Sequence, residues 1–244
     1  MSTVLQNKGL DFKGITILKP IGTGLVFTYP AYGPDTFANV AATIEADDLT
    51  TPTMADKAAL VYSAFNSDNK YSREIRKLME DDEWLWGFTG ILPSSKHDGY
   101  FIQDHPKIRE GMPFMDGDEL ISRLGSKEAN GIVYSDDGTI RFVRDIFGIT
   151  GDNILPLRSH PYIIALAGEE GAQKLSEIEG YIYKVRPHVA LPPLDDITRV
   201  PVLGFGCWYD GGRWFTSIGY NDGDRKGSAF GLLNKTYETS RTKE

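Results

Sequence analysis

Two hydrophobic periods divide this chain, and their order excludes most architectures. Apolar residues alternate near both ends and recur every three to four residues between them. The stretch "ITILKPIGTGLVFTYP" (15–30) predicts strand, glycine turn, strand. Three helical patterns follow. "DTFANVAATIEAD" sets Phe37, Val40, Ala41 and Ile44 on one face. "TMADKAALVYSAF" opens on Thr53 as N-cap with Asp56 three residues on, and repeats Met54, Ala58, Val61 and Phe65. "YSREIRKLMED" offers Ser72 as cap and Ile75, Leu78 and Met79 as its buried side.

The middle of the chain mixes both periods. "WLWGFTGILP" predicts a buried strand or turn. "MDGDELISRLG" predicts a short helix boxed by Asp116 and Glu119 and stopped by Gly125. "GIVYSDDGTIRFV" is a hairpin turning at Asp137-Gly138. After Ser159 and His160, Pro161 opens the helix "PYIIALAGEEGAQKLSEI". "RPHVALPPLDD" is a proline-rich connector, strand-like segments run to about Leu233, and a polar tail follows. Strands do not alternate regularly with helices, which argues against a parallel doubly wound sheet. The expected class is α+β, with strands near the two ends pairing with each other, in a single domain spanning 1–244.

The chain has 244 residues and a net charge of −8, with no Lys/Arg cluster, so neither nucleic acid nor an anionic membrane surface is an expected partner. No apolar run approaches the length of a membrane span. No basic flank precedes an apolar run near residue 1, so no secretory signal is expected. Synthesis in the cytoplasm is expected, with release in a virion left open. Cys207 is the single cysteine, which excludes an internal disulfide and a cysteine-based zinc knot.

Several motifs resemble sites and are better explained as structure. Gly22-Thr23-Gly24 lacks the Lys-Ser/Thr of a phosphate loop and predicts a turn. His97, His105, His160 and His188 are scattered, with no metal-ligand spacing. "DGD" (116–118) fits a helix cap, and "NDGD" (221–224) a turn, better than calcium loops. Glu169 and Glu170 are adjacent in a helical pattern and do not share a face. Cys207 has no visible activator and is expected to be a small buried hydrophobe. No catalytic residue, metal or cofactor is expected.

The segment "CWYDGGRWFTSIGYNDGDR" (207–225) stands apart. It is rich in Tyr, Trp, Gly, Asp and Arg and holds no Lys, Glu, Gln or Met. At the chain's overall usage of those four, chance leaves such a gap roughly one time in twenty. Its composition is that of a paratope, in which aromatic rings supply contact area and small polar residues adapt. Alternation puts Trp214, Thr216 and Ile218 on one face and Arg213, Phe215, Ser217 and Gly219 on the other. The first set is expected to anchor to the core. The second, with Tyr209, Asp210, Tyr220, Asp222 and Asp224, is expected to be displayed. The plain structural reading is a hairpin that closes a sheet.

"RVPVLGFGCWYDGGRWFTSIGYNDGDRKGSAFGLL" (199–233) resembles the C-terminus of the variable proteins of diversity-generating retroelements. The matching places are Arg199-Val200, Gly206-Cys207-Trp208, Asn221, Arg225 and Gly227 through Gly231. The closing "AFGLL" departs from the Gly-Phe-Arg of many relatives. The rest, including "ALAGEEGA" (165–172), is similar to archaeal and archaeal-virus proteins ending in the same strand.

The resemblance implies a C-type-lectin-like fold of the formylglycine-generating-enzyme subtype, with terminal strands paired and additional helices. It implies a non-enzymatic display protein whose variable region, 199–233, recognises a macromolecular ligand, a protein above all. In that family, adenines of AAY codons are miscopied, and such changes yield no Lys, Glu, Gln, Met or Trp. Trp208 and Trp214 are then fixed scaffold. The implied ligand-binding positions are Tyr209, Asp210, Arg213, Phe215, Gly219, Tyr220, Asp222 and Asp224. The alternatives are an enzyme of the formylglycine-generating or sulfoxide-synthase group, or a calcium-dependent lectin. The second reactive Cys, the His-rich iron site and the sugar-binding triplets of those groups are absent from the sequence.

Overall fold

The computed structural model describes residues 16–20, 22–80, 84–144, 156–182, 188–189, 200, 202–210, 213–221 and 225–233. The N-terminal part follows the expected order. Strands β1 (Thr16–Leu18) and β2 (Phe27–Tyr29) pair antiparallel across the Gly22 turn, and β3 (Tyr32–Asp35) follows. Helix α1 (Phe37–Ala46) is capped by Thr36 and buries the four residues its periodicity marks. Helix α2 (Met54–Phe65) starts at the Thr53/Asp56 capping box. Helix α3 (Lys70–Glu80) begins earlier than expected. The Asn69 side chain accepts the Ser72 N–H, so Asn69 caps the helix and Ser72 lies inside it.

Strand β4 (Trp84–Ser94) is the long apolar run, followed by β5 (Gly99–Asp104), the small hairpin β6 (Lys107–Arg109) and β7 (Met112–Phe114), and helix α4 (Gly117–Ser122). The Asp116 carboxylate caps α4 by accepting the N–H groups of Asp118 and Glu119. The helix ends at Arg123, not Gly125. Gly125 belongs to β8 (Leu124–Ala129), where a Cβ would run into the Asp136 carboxylate. Strands β9 (Ile132–Ser135) and β10 (Ile140–Arg144) form the Asp137-Gly138 hairpin. Asp137 accepts hydrogen bonds from Ser135 and Thr139, which hold its carboxyl down to about 2.

A short 3-10 turn (Leu157–Ser159) leads into α5 (Pro161–Ile182), which begins at Pro161 as expected and is interrupted at Gly168 (φ 71°, ψ 168°). Strands β11 (His188–Val189), β12 (Val202–Asp210), β13 (Arg213–Asn221) and β14 (Gly227–Ala229) complete the described elements. The polar tail, 234–244, lies outside the described residues.

Ten strands form one mixed sheet in the order β11-β13-β12-β4-β5-β10-β9-β8, with β14 beside β4 and β3 beside β14. The pairs β11–β13 and β4–β14 are parallel and the others antiparallel, which makes the class α+β. The strands near the two ends do pair. Asp35 stands opposite Gly227 and Tyr32 opposite Ala229, and the Thr28 N–H donates to the Gly231 carbonyl at 2.9 Å.

β4 organises the core because both of its faces are covered. Leu85 and Ile91 join the large cluster formed with α2, α3 and α5. Trp86 and Phe88 join Phe37, Val40 and Ile44 of α1 on the other side. At Gly87 a Cβ would sit 2.5 Å from the Met54 sulfur, so the missing side chain lets α2 lie against the strand. No described helix is long and apolar enough to cross a membrane.

Candidate functional site

β12 and β13 form a nine-pair antiparallel hairpin, from Val202 opposite Asn221 to Asp210 opposite Arg213. Its base is fixed by β4. Leu203 pairs with Gly87, Gly204 with Trp86 and Phe205 with Leu85. Gly204 is buried, and a Cβ there would lie 2.9 Å from the Trp84 ring. The Trp84 and Trp86 rings stack at 5.7 Å along this face. Beyond Phe205 the pairing changes. Residues 206–210 pair only with 213–217 among the described strands, and β11 reaches β13 at Ser217 and Ile218 alone. Among the described strands the far end of the hairpin is thus a two-stranded arm.

The register places Leu203 opposite Tyr220, Phe205 opposite Ile218, Cys207 opposite Thr216, Trp208 opposite Phe215 and Tyr209 opposite Trp214. The expected division of the segment into an anchoring and a displayed set concerns side chains of 205–221 that lie outside the described residues.

Of the eight expected binding positions, Tyr209, Asp210, Arg213 and Phe215 lie in the arm. Gly219 and Tyr220 lie at the base, opposite Gly204 and Leu203. Asp222 and Asp224 lie outside the described residues.

The arm's exit strand is tightly held. At Gly227, a Cβ would lie 2.5 Å from the Trp84 carbonyl and 2.6 Å from the Trp86 indole nitrogen. At Gly231 it would lie 2.7 Å from Leu49. Gly227 and Gly231, two of the glycines that carry the sequence resemblance, are thus places where other groups occupy the Cβ position.

Sequence reasoning missed a second feature. A cleft of about 360 Å³ opens between the Tyr29–Pro34 turn, the Glu74 and Leu78 side of α3, and Ser228 and Phe230. The Tyr29 hydroxyl donates to the Glu74 carboxylate. That bond, with burial, pushes the Tyr29 phenol up to about 12, so it stays protonated at neutral pH and serves as a hydrogen-bond donor. Glu74 is exposed and unmarked by any local motif, so nothing in its sequence neighbourhood announces the pair.

Three of the four histidines singled out in the sequence have hydrogen-bond partners, and the side chain of His188 lies outside the described residues. His97 Nδ1 lies 2.8 Å from the Ser94 hydroxyl, and His105 Nδ1 lies 3.0 Å from that of Thr51. Buried His160 accepts the Tyr162 N–H at Nδ1, fixing the first turn of α5. No group of three or more His, Cys, Asp or Glu side chains arranged to hold a metal occurs among the described residues. No protein-family model, curated protein or solved structure matches this chain.

Proposed function

We propose that this is a ligand-binding display protein. Its C-terminal hairpin carries a patch diversified by a retroelement and recognises a macromolecular ligand, a protein foremost, on a C-type-lectin-like scaffold. One observation carries the reading. The segment with the paratope-like composition coincides with an arm whose residues 206–210 pair only with 213–217 among the described strands, while its base is locked to β4. A fixed base with a variable end keeps the ordering cost of binding low, so a few aromatic anchors suffice for affinity. The arm positions Tyr209, Asp210, Arg213 and Phe215 form the centre of the patch. Asp222 and Asp224 extend it, and Gly219 and Tyr220 support it from the base.

Sequencing the DNA that flanks the gene tests the proposal. The expected result is an adenine-bearing near-copy of the codons for 207–225 beside a reverse-transcriptase gene. Flanking DNA with neither feature contradicts diversification by a retroelement.

A further inference from the structure

Lys57 is completely buried in α2, and its Nζ has no hydrogen-bond partner among the described residues. Its neighbours are aromatic. Nζ lies 5.0 Å from the centre of the Phe230 ring and 6.0 Å from that of Phe27. These two rings belong to segments from opposite ends of the chain that meet in one seam. Phe27 bridges to Leu232, the Leu233 N–H donates to the Val26 carbonyl at 2.9 Å, and Thr50 and Leu232 exchange N–H bonds at 2.8 and 2.9 Å.

Taking an ammonium out of water without a counter-ion costs more than a desolvated cation gains over a ring. Burial accordingly holds Lys57 well below the ordinary lysine value. Among the described residues Asp56 is the one charged group that works the other way, and its carboxylate is already engaged by the Thr53 N–H and hydroxyl. Four carboxylates of the packed helices are occupied elsewhere. Glu74 of α3 accepts from Tyr29, and in α5 Glu169 accepts from Asn130, Glu170 from Lys174 and Glu177 from Tyr62 and Gln173.

We infer that Lys57 is a proton-sensitive pin of this seam: as an uncharged amine it fills the space between Phe27 and Phe230, and on taking a proton it forces the two strands apart to reach water. The pin sits beneath the strand by which the hairpin returns to the core, so opening the seam loosens the exit side of the hairpin. The inference stands independently of the proposed binding function.

Linkage fixes the sign and size of the effect. In the open seam Lys57 titrates near its ordinary value of about 10.4, so below that pH the open form holds one more proton than the closed form. Opening then becomes up to tenfold easier for each unit the pH falls, until the closed form itself takes the proton.

Amide hydrogen exchange of the full chain between pH 9 and pH 7, corrected for intrinsic exchange, tests this. Protection at 26–29 and 230–233 is expected to fall by close to tenfold per unit, relative to protection at 100–103 in β5. In Lys57→Met, which replaces the amine by a thioether of similar length, the fall is expected to vanish. Seam protection that is independent of pH, or that falls equally in Lys57→Met, overturns the inference. If that variant does not fold, the Cε resonance of Lys57 in the unaltered protein decides. A midpoint well below those of the other lysines supports the pin, and a midpoint among them refutes it.

Discussion

Trp208 stands opposite Phe215 across the C-terminal hairpin, one pair away from Tyr209 opposite Trp214. Both tryptophans are expected to anchor the hairpin to the core. Trp208→Ala and Trp214→Ala are each expected to cost about 3–5 kcal/mol, as is usual for emptying a core aromatic site. Chemical denaturation of the two variants measures this. A near-zero cost for either refutes its anchoring role.

Gly227 lies where β14 meets both tryptophans of β4. A Cβ there meets the Trp84 backbone carbonyl, which has no freedom to move aside. Gly227→Ala is expected to lose about 1–3 kcal/mol, the usual cost of overpacking. Gly138→Asn, at a hairpin tip with open space around it and φ 73°, is expected to lose far less. Thermal unfolding of the pair distinguishes a close-approach glycine from a turn glycine.

Arg141 and Asp104 form a two-point ion pair at 2.6 and 2.7 Å, with side chains only 11% and 14% exposed. Thr89 donates to the same carboxylate at 2.8 Å and accepts the Met54 N–H at 3.1 Å, tying the start of α2 to the sheet. Asp104→Ala strands the guanidinium and is expected to cost about 3–5 kcal/mol. Replacing both partners by apolar residues, Asp104→Leu with Arg141→Met, is expected to cost less than either single change. A double-mutant cycle by denaturant unfolding checks the order.

His160 is buried, and burial lowers its pKa below the ordinary imidazole value. Above about pH 6.5 both folded and unfolded forms are neutral, and the stability is whole. As the pH falls below that, the unfolded chain takes a proton that the folded one resists, so stability drops through the folded-state pKa. His160→Gln, which offers an acceptor near the Tyr162 N–H and does not titrate, is expected to flatten part of this acid limb. Melting temperatures from pH 7.5 to pH 5 measure the difference, and parallel curves for the two proteins contradict it.

Local chemistry was legible in the sequence where a cap and a face agreed. Thr53 with Asp56, and Phe37 with Val40, Ala41 and Ile44, needed no tertiary information. Asn69 and Ser72 both belong to the capping class, and three residues of helix separate the two choices. Gly168 hides in a helical pattern because only its positive φ distinguishes it. Lys57 carried a usable signal: Met54, Lys57, Val61 and Ala64 recur at helical spacing, which puts the amine in an apolar stripe. One strand's alternation does not supply the register of β12 against β13.

The hairpin's arm is expected to tolerate change while its base does not. The direct measurement is thermal unfolding of two small libraries built from residues reachable from AAY codons. One changes Tyr209, Asp210, Arg213 and Phe215 together, and the other changes Gly219 and Tyr220. Surface changes that touch no special feature move stability by less than about 0.5 kcal/mol each. Most members of the first library are expected to fold with melting temperatures near the parent's. Most of the second are expected to melt lower, because Gly219 stands opposite buried Gly204 and Tyr220 opposite Leu203. If most members of the arm library aggregate or melt far below the parent, the segment is core-forming structure and the display function is contradicted.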